Sequence, residues 1–158
     1  MNKREKQRRQ THIDYNRRCF DRRGKTFYYQ RSVHIGDTQF MGGTVYYAQY
    51  WDFVGEAREE LLRYLLQDDL NRLLSEQIML ITATCKGEYK APLFCYDPIR
   101  IDVKIKKVTK ATIYLGFEVK KNKDTLSFLA NMKLCLAQNN KIIKIPDFFY
   151  DVLKQYEI

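Results

Sequence analysis

The sequence of 158 residues predicts a single α+β domain, in which one long helix packs against a curved antiparallel sheet of about five strands. Apolar residues recur at steps of three and four from about residue 45 to residue 66, as in a helix with one buried face. From residue 77 onward, short runs of apolar residues are separated by turn residues, as in consecutive hairpin-connected strands. Such a sheet leaves an edge strand unpaired, so we expect self-association through that edge into a homodimer, or a tetramer built from two dimers.

The positive charge lies mainly at the N-terminus. Residues 1–31 contain eleven Lys or Arg and three Asp or Glu, whereas the remaining chain contains 17 basic and 16 acidic residues. Because residues 1–25 have few apolar side chains, we predict a disordered basic tail before a domain of residues 26–158. The tail could bind an anionic partner such as RNA, a carrier protein or a phosphate-bearing ligand, or it could serve only as a solubilising extension. The nearly neutral domain itself does not predict nucleic-acid binding.

The composition argues against several classes of protein. The sequence contains no run of 18 apolar residues, so it predicts no membrane-spanning helix. The basic N-terminus lacks the apolar region of a secretory signal. Two histidines and four cysteines without C-x-x-C spacing predict neither a metal centre nor a disulfide framework, and we expect no cofactor. A reduced, cytoplasmic setting fits these features.

The first predicted elements are a strand and the long helix. Residues 26–35 are rich in aromatic and β-branched residues, which are typical of strands. The predicted inner face of the helix consists of Tyr47, Tyr50, Trp51, Val54, Arg58, Leu61, Leu62 and Leu65. Arg58 stands out, because an arginine within an apolar stripe is costly unless it is paired or faces a ligand. We therefore expect Arg58 either to contact a ligand or to pair with Asp37 or Glu60.

The second half of the chain predicts strands and a terminal helix. The predicted strands are residues 77–89, 99–108, 113–119 and 126–138, and residues 141–145 form either a short strand or an extension. Alternation is clearest between residues 99 and 106, where apolar and charged side chains exchange at every step, so one face is wet. Pro146 suits the first turn of a helix over residues 147–156.

Several motifs together resemble those of a known enzyme family. The run Gly-Asp-Thr-Gln-Phe-Met-Gly-Gly-Thr-Val-Tyr-Tyr-Ala-Gln-Tyr at residues 36–50 is similar to the Gly-Asp-x-Asp-x-x-Gly-x-Val-Tyr-x-x-Asn-Tyr pattern of hotdog-fold thioesterases. The match is to the 4-hydroxybenzoyl-CoA thioesterase-like group. Residues 56–58 resemble that group's Glu-x-Ala-Arg segment, and residues 82–93 resemble the strand that crosses its site. The resemblance covers roughly residues 27–150 and implies an acyl-thioester hydrolase.

One departure from the family pattern changes the expected mechanism. The family's catalytic carboxylate, the second Asp of Gly-Asp-x-Asp, is replaced here by Gln39. An amide cannot act as a nucleophile or general base at neutral pH. The enediyne polyketide branch of the family carries an amide at the position of Gln39 and an arginine at that of Arg58, so the chain resembles this branch more closely.

The resemblance implies two sets of site residues. The catalytic set is Gln39, Arg58, Asp37, Tyr47 and Glu60, and the substrate-binding set is Thr38, Phe40, Gly42, Gly43, Tyr46, Tyr50, Thr84 and Cys85. Oriented donors would stabilise the negative charge that develops on the thioester oxygen when water attacks. We expect release of an acyl or polyketide chain, such as a β-keto chain, from an acyl carrier protein or CoA.

Two alternatives remain open from the sequence. The chain could be a general acyl-CoA thioesterase in which Asp37 or Glu60 is the base. It could also be a non-catalytic acyl-binding module of the same fold, since the carboxylate is missing at Gln39.

Overall fold

The computed structural model describes residues 19–39, 43–122 and 124–158. Within these residues the chain forms seven strands, three α-helices and one 3₁₀ turn at Ile35–Asp37. The strands are β1 (Cys19–Arg23), β2 (Thr26–Ser32), β3 (Met79–Tyr89), β4 (Pro98–Val108), β5 (Thr112–Lys121), β6 (Thr125–Gln138) and β7 (Lys141–Ile143). The helices are α1 (Gln49–Leu66), α2 (Asp69–Ser75) and α3 (Asp147–Gln155).

The strands form one antiparallel sheet in the order β1-β2-β4-β5-β6-β3, and β7 pairs with the end of β6. α1 packs against β2 and β4 on one face of the sheet, which we call the inner face. Residues of β4 and β5 that point to this face are buried, whereas their neighbours on the outer face are mostly charged. Among the described residues, β3 has a strand partner on one side only and is therefore an edge of the sheet.

The α+β class and the long helix against an antiparallel sheet are confirmed, but the strand count of about five is wrong because the described residues form seven. One added strand, β1, lies within the segment predicted as a tail, and residues 1–18 of that segment lie outside the described residues. β1 pairs with β2 through a two-residue turn, in which Gly24 has a φ of 57°. Glycine adopts this left-handed conformation at little cost, which is why it suits tight hairpins.

The helix differs from the prediction in its start and in its rotation. It begins at Gln49, after a turn at residues 47–48, because Val45 further upstream forms a bridge with Thr38 and so lies outside the helix. The buried face consists of Tyr50, Phe53, Val54, Ala57, Leu61, Leu65 and Leu66. Tyr47, predicted on the inner face, is 61% exposed, and Arg58 lies at the flank of the helix rather than in the core. In the part of the chain that the structure covers, no helix is both long and apolar enough to cross a membrane.

Candidate active site

An open cleft of about 470 Å³ lies between α1 and the inner face of β3 and β6. The helix supplies most of its lining, and the two strands close it with one side chain each. The lining residues are Trp51, Asp52, Gly55, Glu56, Arg58, Glu59, Cys85 and Met132. The cleft therefore combines an apolar floor with one arginine and three carboxylates, an arrangement suited to a ligand with both an apolar and a polar part.

Among the residues that the structure describes, Arg58 is the one cation that lines this cleft. It donates a hydrogen bond of 2.9 Å from Nη1 to the hydroxyl of Thr82 on β3. Its Nε is buried and has no hydrogen-bond partner, and no carboxylate of the described residues lies within 4.0 Å of its guanidinium. A buried guanidinium nitrogen without an acceptor is costly, so this site favours a ligand that supplies one.

A β-bulge brings Thr82 and Cys85 to the same face of β3. Thr82 pairs with Leu134 and Cys85 with Met132, and the register shifts between Thr82 and Thr84. In a regular strand, residues three apart point to opposite faces. The extra residue of the bulge restores both side chains to the inner face, and it turns Thr84 to the outer face, away from the cleft. Of the two predicted binding residues on this strand, Cys85 thus lies in the cleft and Thr84 does not.

Asp37 and Glu56 are both held by the buried side chain of Arg31. The guanidinium of Arg31 pairs with Asp37 and lies 2.7 Å from Glu56 Oε1. Glu56 also accepts a 2.7 Å hydrogen bond from the hydroxyl of Tyr29, and Asp37 Oδ2 accepts one of 2.8 Å from the backbone N–H of His34. The alternative that Arg58 pairs with Asp37 is therefore not what the structure contains.

Three predicted tyrosines, Tyr46, Tyr47 and Tyr50, cluster near the start of α1. Two of them line a second open cleft, and the third packs against Tyr47. Tyr46 and Tyr47 are exposed, and their ring centroids are 4.5 Å apart. Tyr47 and Tyr50 line this cleft of about 340 Å³, which Tyr89 of β3 also lines. The hydroxyl of Tyr89 donates to the carbonyl of Tyr47 over 2.8 Å, and the buried hydroxyl of Tyr50 accepts a 3.0 Å hydrogen bond from the N–H of Leu93. Burial raises the pKa of the Tyr50 phenol, so this phenol stays protonated at neutral pH.

The remaining predicted residues are not gathered at one point. Gln39 is exposed on the loop after the 3₁₀ turn, where its backbone N–H bonds the carbonyl of Thr44 over 3.3 Å. The Thr38 hydroxyl donates to the carbonyl of Ile35. Glu60 lies 3.8 Å from Arg63 on the helix surface, so it does not pair with Arg58.

Three predicted site residues belong to the glycine loop. Gly43 is half-buried before the Thr44 bridge, whereas Phe40 and Gly42 lie outside the described residues. In the described part of the chain, no hydrogen bond joins Gln39 to Arg58.

The site also contains three residues that were not predicted from the sequence, Arg31, Glu56 and Thr82. A signal for Arg31 does exist: Phe27, Tyr29 and Arg31 occupy successive inward positions of β2, and a charge at the third of these positions calls for buried partners. The partner Glu56 is 25 residues away, so the pattern of β2 alone does not identify it. No group of three or more potential metal ligands occurs among the described residues.

Comparisons with known proteins agree with this architecture. The model of the thioesterase-like superfamily matches residues 33–153. An Aquifex aeolicus protein named "Putative esterase" is 32% identical over 133 residues, which cover 81% of this chain and 98% of that protein.

Solved structures show the same fold. A Staphylococcus aureus protein, solved in complex with CoA, superposes with a TM-score of 0.78 at 13% identity over 86% of each chain. A 1,4-dihydroxy-2-naphthoyl-CoA thioesterase from Synechocystis superposes with a TM-score of 0.71 at 21% identity, over 82% of this chain and 96% of that one. The family match spans most of the chain, and the sheet wrapped beside α1 is the fold of these neighbours. The chain belongs to the thioesterase-like superfamily.

Proposed function

We propose that this protein hydrolyses acyl thioesters, and that Arg58 binds the thioester oxygen or an adjacent acyl oxygen in the cleft. The observation that carries this proposal is the state of Arg58, which lines the cleft with a buried Nε that has no acceptor among the described residues. Membership of the thioesterase-like superfamily supports the reaction class.

The chemistry follows from the change in charge during the reaction. When water attacks a thioester carbonyl, negative charge develops on the oxygen, and donors already in place stabilise it without reorganising. A guanidinium offers several N–H donors in one plane, so it can bind a carbonyl oxygen and a neighbouring keto oxygen together. The bond between carbonyl carbon and sulfur then breaks, and the products are a carboxylic acid and a thiol.

Gln39 and Tyr47 are proposed as further donors to the substrate. Both side chains are exposed, Tyr47 just before α1 and Gln39 on the loop that bonds Thr44, so both are open to a bound acyl group. The amide of Gln39 can donate but cannot act as a base, so its role is orientation. Tyr46 and Tyr50 are proposed to contact the acyl chain of the substrate near the start of α1.

A second candidate mechanism uses a carboxylate base from the cleft. Asp37 Oδ2 already accepts hydrogen bonds from Arg31 and His34, which leaves it poorly placed to take a proton from water. Glu59 lines the cleft and has no ion pair within the part of the chain the structure covers. Glu59→Gln should abolish hydrolysis under this mechanism, whereas Glu76→Gln, which removes an exposed carboxylate at the end of α2, should not.

The proposed substrate is an acyl chain carried by CoA or by an acyl carrier protein. The neighbours bound to CoA or named for a CoA thioester support the first carrier. The motif around Gln39 and Arg58, which resembles the enediyne polyketide branch, supports a polyketide or β-keto chain on a carrier protein. A panel of acyl-CoA and carrier-bound thioesters distinguishes these substrates by their kcat/KM values.

We also propose that a second copy of the chain completes the site by pairing along β3. Met79 and Tyr89, near the ends of this edge strand, are 52% and 49% exposed, and Cys85 of the same strand lines the cleft. An unpaired edge with exposed apolar side chains is a template for strand addition. Ile81→Lys should convert the dimer to monomers in light scattering and lower hydrolysis with it. A monomeric wild-type chain with full activity would contradict this.

The direct test of the reaction compares Arg58→Ala with Arg63→Ala. Arg63 lies on the same helix, and its side chain is 74% exposed. Arg58→Ala should lose hydrolysis while Arg63→Ala keeps it, with both proteins folded by circular dichroism. If the wild-type protein binds acyl thioesters tightly but turns none over, the chain is an acyl-binding module and the proposed reaction is wrong.

A further inference from the structure

We propose that Arg31 is a positioning residue that ties the Gln39 loop to α1 and so sets Gln39 relative to Arg58. This inference rests on the proposed function, because it concerns the two donors named there. Arg31 holds Asp37, two residues before Gln39, and it also holds Glu56, two residues before Arg58. One buried guanidinium therefore binds a carboxylate on each of the two segments that carry the proposed donors.

The contacts of Arg31 use its whole guanidinium. Nη2 donates to Asp37, Nη1 donates to Glu56 over 2.7 Å, and Nε donates to the carbonyl of Ser32 over 3.0 Å. The guanidinium carbon also lies 4.8 Å from the centre of the Phe53 ring, so the plane is held from one side by the core. The side chain of Arg31 is only 4% exposed, compared with 13% for Asp37 and 27% for Glu56.

Asp37 and Glu56 each have a second hydrogen-bond partner, which ties the loop and the helix further to β2. Asp37 Oδ2 accepts the N–H of His34, which closes the turn between β2 and the loop. Glu56 Oε2 accepts the hydroxyl of Tyr29, which fixes the helix to the same strand. Because buried charged groups must be paired, the loop and the helix cannot separate without leaving a charge unpaired in a dry site.

Lysine cannot replace this geometry. An ammonium is a point charge with tetrahedral donors, whereas a guanidinium presents a planar fork that reaches two carboxylates and a carbonyl at once. Arg31→Lys keeps the charge, but without the planar fork it restrains both segments less firmly. Since a misplacement of about 1 Å in an active site can lower the rate by roughly 100-fold, we expect the loss to fall on kcat rather than on KM.

The first experiment measures amide hydrogen exchange in wild type, Arg31→Lys and Arg100→Lys. Arg100 is the matched control, because it bonds Asp102 over 2.8 Å on the outer face of the sheet, away from the cleft. Arg31→Lys should speed exchange both around residues 34–39 and around residues 56–58, and Arg100→Lys should speed it in neither. Unchanged exchange in these two segments of Arg31→Lys would overturn the proposal, whether or not the protein is an enzyme.

The second experiment is a double-mutant cycle in kcat between Arg31→Lys and Gln39→Leu. If Arg31 acts through the position of Gln39, the double variant is no slower than Gln39→Leu alone. Losses that multiply, or a wild-type kcat in Arg31→Lys, would overturn the positioning role. A wild-type kcat in Gln39→Leu would instead refute the role proposed for Gln39, and the cycle between Arg31→Lys and Arg58→Ala then decides the positioning role. A wild-type protein without turnover refutes the proposed function and leaves hydrogen exchange as the deciding result.

Discussion

Replacing Gly87 on β3 by alanine should destabilise the domain, because two aromatic rings occupy the space that a Cβ would need. A Cβ at this position would lie 2.5 Å from Cζ of Phe128 and 2.8 Å from Cζ2 of Trp51. The Phe128 ring is fully buried, and it packs edge-on against Trp51 with ring centroids 5.1 Å apart.

The magnitude follows from this crowding. Adding a methyl group to a packed core costs about 1–3 kcal/mol. Replacing glycine within a strand recovers roughly 0.5–1 kcal/mol of backbone entropy, which only partly offsets that cost. For a domain of this size each kcal/mol corresponds to about 2–4 °C in Tm, so the loss is measurable by thermal unfolding.

Gly55→Ala is the matched control for Gly87→Ala. A Cβ at Gly55, within α1, would meet no atom within 4 Å. Alanine favours a helix interior over glycine by about 1 kcal/mol, so this variant should be more stable than wild type. In urea unfolding, the free energy of unfolding should fall for Gly87→Ala and rise for Gly55→Ala. A Gly87→Ala protein as stable as wild type would refute the proposed packing of Trp51 and Phe128 over β3.

Two further predictions concern hydrogen bonds that stabilise the fold. Tyr50→Phe leaves the buried N–H of Leu93 without its acceptor, so the free energy of unfolding should fall by about 1–3 kcal/mol in urea titration; an unchanged value would contradict the bond. Hydrogen bonds from Lys154 and from the Val108 N–H lower the pKa of the Glu157 carboxyl. Its contribution is therefore present above the ordinary carboxyl pKa and lost as the pH falls through the lowered folded value. Glu157→Gln should lower Tm at neutral pH and converge with wild type in acid, and parallel Tm curves would refute this linkage.

The spacing of apolar residues predicted the elements that have one buried and one exposed face along their whole length. The alternation in β4 and the three- and four-residue spacing in α1 each reflect one wet and one dry face. β4 formed close to its predicted bounds, and α1 ends at the predicted residue but begins later, at Gln49. β1 was missed because Cys-Phe-Asp-Arg-Arg has the composition of a charged tail. Its pairing with β2 supplies the backbone hydrogen bonds that make it a strand, and composition does not report pairing.

The site was harder to predict than the fold. The sequence singled out Arg58 as a charge that needs a partner, but it did not show which carboxylates other residues bind. Arg31 binds Asp37 and Glu56 from a strand that precedes both, and the β3 bulge decides that Cys85 and not Thr84 lines the cleft. Such facts depend on register and on the rotation of α1, which local sequence patterns specify only to within a residue or two.

The central claim is that Arg58 stabilises the reacting acyl group, and kcat/KM of Arg58→Ala tests it most directly. Removing one donor to a developing oxyanion costs roughly 100- to 1000-fold in rate. We predict a loss of that size on the best acyl thioester of the panel, with Arg63→Ala close to wild type and the Tm of both variants within a few degrees of it. A folded Arg58→Ala protein that hydrolyses the same thioester at the wild-type rate would contradict the claim.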